Sequence, residues 1–366
     1  MKSLIKMKHI TSLLILLSFT LASFAQVDRS KAPEPGPAPK IQIGKSEKFT
    51  LENGLKVIVV ENNKRPVVSY SLTLDYVPFM EGEVAGNAAI AGSLLRAGTA
   101  NMSKAEIDKN IDFIGATLVT SSNGIYGQSL SKHSDKLLSI FSDVLLNPSF
   151  PAEELEKEKK KTISGLAAAK EDPNAIMSNV SRALTYGKNH PYGELETEKT
   201  VGNISVETCK DFYNTYFRPN IAYLVIVGDI TRAEAEAKAK KYFGSWKKQE
   251  VPMAKLPEVK GPQGKQVCFV PKTGAVQSVI NVTYPINLKP GAPDAIPATV
   301  MNSILGGGVF SGRLMQNLRE DKGYTYGARS SLDTDPYVAS FTAYASVRNE
   351  VTDSSVTEFL YELDRI

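Results

Sequence analysis

Histidine is the scarcest chemistry-bearing residue of this chain: three in 366 residues, at positions 9, 133 and 190. His9 lies in an N-terminal apolar leader. The other two are far apart, and neither has a second histidine or a cysteine within a helical turn. The sequence therefore assembles no conventional histidine-based metal site. His190 stands in Asn189-His190-Pro191-Tyr192-Gly193, a loop by its proline and glycine, and a structural or solvated role is expected for it. Cysteine is equally sparse, with Cys209 and Cys268 alone, and their separation matches no metal-ligand spacing. Cys209 falls on the apolar face of a helix and Cys268 in an apolar run read as a strand. Two small buried hydrophobes in separate halves are expected, although an oxidising compartment would permit a disulfide.

Charge of one sign is also missing. The formal net charge is +4, and removing the leader lysines Lys2, Lys6 and Lys8 leaves about +1. No nucleic-acid surface follows from that. The basic run Lys157, Lys159, Lys160 and Lys161 is interleaved with Glu154, Glu156 and Glu158, the pattern of a solvated helix face. After the leader, no apolar run is long enough for a membrane span.

What is present begins with an address. Three lysines, an apolar stretch over 13–21 and Ser23-Phe24-Ala25 form a signal peptide, 1–25, with cleavage expected after Ala25. No cysteine follows to take a lipid, so the mature chain is expected to be exported, to a bacterial periplasm. Residues 26–45, rich in Pro, Lys and Gly, read as a flexible tail.

A first α+β domain is expected over 46–245. Its signals are strands at 55–60 and 67–74, a mostly apolar helix at 85–97, and a capping box of Ser103 and Glu106. Strands near 116–122 and 125–130 flank an Asn123-Gly124 turn. Helices follow at 135–146, after Pro151 and at 205–217, then a strand at 221–227 and a helix capped by Thr231 and Glu234. The same order restarts after a linker at 246–266. Strands at 267–270 and 276–284, helices at 294–305 and 312–320, strands at 324–331 and 338–345 and a helix at 354–366 repeat it at an offset of about 210. The second domain, 267–366, ends roughly 100 residues before the repeat is complete. The expectation is a truncated second half, and with it a fragment or a shortened reading frame, in which an apolar strand edge and a helix face are left uncovered.

Several segments together carry a family resemblance: Thr50-Leu51-Glu52-Asn53-Gly54-Leu55-Lys56-Val57, Gly98-Thr99, His190-Pro191-Tyr192-Gly193, the run from Phe212 to Asn220, Val227-Gly228-Asp229, and the run from Leu318 to Tyr326. In order and spacing the chain resembles the pitrilysin/insulinase family of zinc metallopeptidases. The resemblance implies two homologous α/β-sandwich halves, each an antiparallel-rich sheet with helices packed on it, facing each other as half of a clamshell. It also implies a zinc site of the inverted His-x-x-Glu-His kind on the 85–97 helix. In register with Gly86 and Gly98-Thr99, those positions hold Ala89, Gly92 and Ser93. The family's third ligand, a Glu on the long helix, falls at Gly165, while Glu158 fits an accompanying acid. Val119 stands where the family has an Asn beside substrate. None of Ala, Gly or Ser supplies a usable zinc ligand.

One family pair is retained. Arg319 and Tyr326 match an Arg and a Tyr that face the zinc from the second half. The resemblance gives them the roles of holding a peptide and of donating to an oxyanion. Gly306, Gly307 and Gly308 form a glycine-rich segment that, by the same resemblance, touches substrate in non-catalytic partner chains. As a plain reading it is a loop that permits a turn, since no Gly-Lys-Ser/Thr follows for phosphate. The expectation is a zinc-free subunit of a two-chain exported peptidase. It would bind peptide and work with a zinc-bearing family member as heterodimer partner, with no cofactor of its own. A non-catalytic peptide-binding or scaffold protein is the alternative. An independent hydrolase built on Ser93, Ser121 or Ser122 lacks a histidine placed by any motif.

Overall fold

In the computed structural model, residues 36, 37 and 45–366 are described, apart from position 309. The expected signal peptide and nearly all of the expected flexible tail lie outside the described residues.

The first half is built on six strands: β1 (Glu47–Thr50), β2 (Lys56–Glu61), β3 (Val67–Leu74), β4 (Thr117–Ser121), β5 (Gly124–Leu130) and β6 (Ala222–Gly228). Their order is β1-β2-β6-β3-β5-β4, antiparallel throughout except for β2 and β6. Burial alternates along β3 and β6, so one face packs on the core and the other stays half open. The helices of this half are α1 (Asn87–Leu94), α2 (Lys104–Phe113), α3 (Ser134–Leu146), α4 (Ala152–Ala169), α5 (Pro173–Tyr186), α6 (Glu198–Asn203), α7 (Val206–Tyr216) and α8 (Arg232–Phe243), and all but α5 contribute buried residues to the core on that face. The reciprocal Ser103–Glu106 capping box starts α2, and Thr231–Glu234 starts α8. Each such cap contributes about 1 kcal/mol. Lys157 and Lys161 pair with glutamates three or four residues back on α4, whereas Lys159 also donates to the carbonyls of Gly202 and Ile204.

The second half has three strands, β7 (Gln277–Ile286), β8 (Thr325–Leu332) and β9 (Ala339–Arg348), in the antiparallel order β7-β9-β8. α9 (Ala295–Asn302) continues into a π-helical turn, Ser303–Gly307. α10 (Arg313–Met315) continues into another, Gln316–Asp321, and α11 (Thr352–Asp364) follows. Leu305, Leu314, Leu318 and Phe359 from these helices meet Phe341, Ala343 and Ala345 of β9 in a smaller core. The halves join where α5 lies on β7. Asn281 Nδ2 donates to Ser181 Oγ at 2.7 Å, Thr185 and Thr283 hydroxyls are 3.1 Å apart, and Tyr192 Oη donates to Asp335 at 2.9 Å.

Three expectations are corrected. The segment 267–270 forms no strand, with Val267 and Phe269 91% and 79% exposed. Its counterpart β2 is held by β6, and no strand of that kind stands beside 267–270 among the described residues. Cys268 is consequently exposed rather than buried, while Cys209 is buried as expected, and both are free thiols. Burial pushes the Cys209 thiol up to about 12. Trp246, read as the start of the linker, belongs to the first core: it is buried, with its indole N–H on Phe217 O at 3.1 Å.

Candidate functional site

The helix α1 opens at Gly86, whose φ of +100° suits glycine. No side chain at the cap position satisfies its first N–H groups. Glu81 does so from outside the helix, accepting from Gly86 N and Ala88 N at 2.6 Å each. An acid at a helix N-terminus is favoured by the dipole as well. Burial nevertheless raises the Glu81 pKa, against the pull of those two N–H groups and with the help of nearby Glu194 and Glu196. Glu194 in turn accepts from Glu81 N and Gly82 N, at 2.9 and 2.7 Å. Arg182 ties this loop down through the carbonyls of Tyr192 and Glu194. Sequence reading missed this acidic brace. Its one local signal is an acid five residues ahead of the helix-opening glycine.

Along α1, Ala89 and Ser93 are exposed one turn apart, and Gly92 between them is buried. Gly92 lies against the turn between β4 and β5. A Cβ there would sit 2.2 Å from Ser122 N and 2.3 Å from Ser121 C. Those are backbone atoms, and they cannot yield as a flexible side chain would. The position in register with the family's glutamate therefore has no room for any side chain while α1 sits where it does. Gly165 on α4 differs: it is exposed, and a Cβ would meet nothing within 4 Å. Among the described residues, no three His, Cys, Asp or Glu side chains are grouped as a metal centre requires. The donor set at Ala89, Gly92, Ser93 and Gly165 does not fit zinc.

Arg319 lies on the Gln316–Asp321 turn. Its Nε is 3.4 Å from Glu320 Oε1, and its guanidinium carbon is 5.3 Å from the centre of the Phe310 ring. Tyr326 lies on β8 and is 92% exposed. The β8–β9 register shifts between Thr325 and Ala328, forming a bulge. Thr325 Oγ1 spans it, accepting from Gly327 N at 3.1 Å and donating to Ser346 O at 2.6 Å. A bulge of this sort re-aims a side chain, and here it turns Tyr326 out of the sheet. No hydrogen bond joins Arg319 to Tyr326.

The triglycine is a matter of space. A Cβ on Gly306 would lie 2.6 Å from Ser330 N, and one on Gly307 would lie 2.8 Å from Asn302 Nδ2. None of Gly306, Gly307 and Gly308 has a positive φ, so close approach to β8 and α9, rather than a left-handed turn, accounts for them. Val119 stands 52% exposed on β4, the edge strand, opposite Tyr126. His190 is buried between Tyr186 and Tyr192, and its Nδ1 accepts from Tyr192 N at 3.1 Å. Desolvation lowers its pKa, partly opposed by Asp335.

Two family models divide the chain between them. Residues 56–197 match the insulinase family, peptidase family M16, and residues 203–366 match the peptidase M16 inactive domain. The chain belongs to the insulinase (M16) family. Among its relatives is a Bacillus subtilis protein named as the uncharacterized zinc protease YmxG, 24% identical over 291 residues, covering 78% of this chain and 69% of that protein. An uncharacterized zinc protease of Rickettsia felis is 25% identical over 253 residues, covering 66% of this chain and 57% of the relative. The chain thus spans between somewhat over half and about two thirds of the length of these relatives. Among solved structures, a peptidase M16 inactive domain from Pseudomonas fluorescens superposes with a TM-score of 0.79 at 23% identity, covering 88% of this chain and 79% of that one. The periplasmic protease PqqL of Escherichia coli does so with a TM-score of 0.70 at 17% identity, over 89% of this chain and 38% of that one. These structural likenesses establish the M16 fold. No helix among the described residues is long and apolar enough to cross a membrane.

Proposed function

We propose that this M16 chain is a zinc-free, exported subunit of a two-chain peptidase. It binds peptide in a chamber shared with a zinc-bearing family member and supplies Arg319 and Tyr326 to that partner's active site. The observation that carries the reading is a contrast between two places on the chain. The positions in register with the family's two histidine ligands, its general base and its third ligand hold Ala89 and Ser93, Gly92, and Gly165, with Gly92 pressed on backbone. Tyr326 is instead held clear of its own sheet by a hydrogen-bonded bulge. A phenol presented in this way is free to donate to the oxyanion of a tetrahedral intermediate formed elsewhere. A guanidinium on the Gln316–Asp321 turn offers paired donors for peptide carbonyls or a carboxylate. Export rests on the N-terminal leader and on likeness to a periplasmic protease.

The test is cleavage of a flexible fluorogenic peptide by the full chain alone, by a zinc-bearing family member from the same source, and by the two mixed. The reading expects no cleavage by this chain alone and a gain on mixing that falls at least tenfold with Tyr326→Phe. Unchanged activity on mixing would leave a scaffold role. Chelator-sensitive cleavage by this chain alone would overturn the proposal.

A further inference from the structure

Strand β8 carries one residue too many, and the surplus falls at Tyr326. From Ala328 to Leu332 the strand keeps step with β9, with Ala328 opposite Ala345 and Leu332 opposite Phe341. Ahead of that stretch it is in step again but displaced. Thr325 stands opposite Val347, and Arg348 N donates to Tyr324 O at 3.4 Å. Two residues of β8, Tyr326 and Gly327, therefore face one residue of β9, Ser346.

The extra residue decides which way the phenol points. Side chains alternate along a strand, so a one-residue slip carries a side chain to the opposite face. If the register of 328–332 ran on unbroken, Tyr326 would share the face of Ala328 and Ser330 and stand opposite Val347. Those three are buried, whereas Tyr326 is exposed. A bulge also breaks the ladder and leaves backbone groups in need of other partners. One side chain serves both sides of this gap. Thr325 Oγ1 accepts from Gly327 N at 3.1 Å. Ser346 O, at 2.6 Å, is the nearer of its two acceptors, Gly327 O being at 3.0 Å. A hydroxyl can do this because it donates and accepts at one atom. Glycine geometry does not hold the bulge: Gly327 has no positive φ, and a Cβ on it would meet Met315 Cε at 3.8 Å, an ordinary contact. The chain leading in is fixed by its backbone, with Gly323 N on Arg319 O at 3.1 Å and Tyr324 N on Leu318 O at 2.8 Å.

We propose that Thr325 is the positioning residue of Tyr326. Its hydroxyl completes the broken rung, keeps the surplus residue between 325 and 328, and so holds the phenol on the open face of the sheet. The part this plays in peptide cleavage rests on the proposed function, in which Tyr326 serves a partner's active site. The hold on the phenol's direction does not.

The experiment compares two variants of the full chain: Thr325→Val, which keeps the shape without the hydroxyl, and Thr325→Ser, which keeps the hydroxyl. Tyrosine nitration by tetranitromethane, mapped by mass spectrometry, reads the phenol's direction in the chain alone, with Tyr126, exposed on β5, as internal standard. Nitration of Tyr326 falls about fivefold or more in Thr325→Val, as a change of face requires, and stays within about twofold of the unmodified chain in Thr325→Ser. In the mixture with a zinc-bearing family member, Thr325→Val lowers kcat about fivefold or more, leaves KM within about twofold, and costs nothing further on top of Tyr326→Phe. Thr325→Ser keeps the kcat of the unmodified chain. Undiminished nitration in Thr325→Val would overturn the inference. So would an unchanged kcat, a loss that adds to that of Tyr326→Phe, or one that Thr325→Ser shares. No gain on mixing the unmodified chain would instead remove the peptidase reading, and nitration alone would then decide whether Thr325 directs Tyr326.

Discussion

The two halves of this chain start from the same strand and helix order and end in different physical states. In the first, β6 closes a six-stranded sheet from within, and α7 and α8 cover the helices beside it, so that residues such as Leu55, Leu95 and Phe141 are fully buried. In the second, a three-stranded sheet keeps a smaller core, and apolar residues at matched positions face water. The difference lies in long-range partners rather than local sequence. Val267 and Phe269 have strand-forming side chains, yet a strand needs a neighbour to satisfy its backbone groups. The candidate positions also divide by half: Ala89, Gly92, Ser93 and Gly165 stand on the first, and Arg319 and Tyr326 stand on the second.

Substitutions at matched positions break or sharpen this comparison. The largest effect is expected at Gly92. Gly92→Ala would drive a Cβ into the backbone of Ser121 and Ser122, and should cost about 3 kcal/mol or more in a urea melt. A loss under about 1 kcal/mol would show that α1 can move away from the hairpin. Next comes Ile90 against its counterpart. Ile90→Ala removes a buried side chain and should cost about 2–4 kcal/mol. Val300→Ala, at an exposed site, should stay within about 0.5 kcal/mol. Equal costs would mean that the second half is covered in solution as the first is.

A third test uses pH at the junction between the halves. His190 has a folded pKa lowered by burial, so below the unfolded value of about 6.5 the unfolded chain binds more protons. The stability that depends on neutral His190 is therefore present above about pH 6.5 and is lost as pH falls below it. His190→Gln should flatten the fall in stability between about pH 7 and pH 5. An unchanged slope would show that other groups set it. The smallest effect is expected at Gly165. Gly165→Ala fills open space within α4 and should stabilise by about 0.5–1 kcal/mol, since glycine weakens a helix interior by that amount. A loss would show that α4 presses on something at that point.

Much of this was readable from sequence because the signals are local. The Ser103–Glu106 and Thr231–Glu234 capping boxes, the Asn123-Gly124 turn and the alternation of 67–74 each settle their element with neighbours a few residues away. The repeat was legible from element order. What was not legible depends on contacts between distant residues. The 267–270 run looks like β2 until one asks what plays β6. Trp246 follows a helix at the edge of a Lys- and Pro-rich stretch, yet its indole reaches Phe217. At the candidate site the residue types at Ala89, Gly92, Ser93 and Gly165 were read directly, but the close approach behind Gly92 was not. Nor was the Glu81–Glu194 brace, whose members are far apart in sequence and adjacent in space.

The most direct test of the central claim is zinc binding by the full chain, measured by equilibrium dialysis followed by metal analysis, with a zinc-bearing M16 relative as the positive control. The account predicts no stoichiometric zinc on this chain under conditions that load the relative. Stoichiometric zinc that survives dialysis would contradict it.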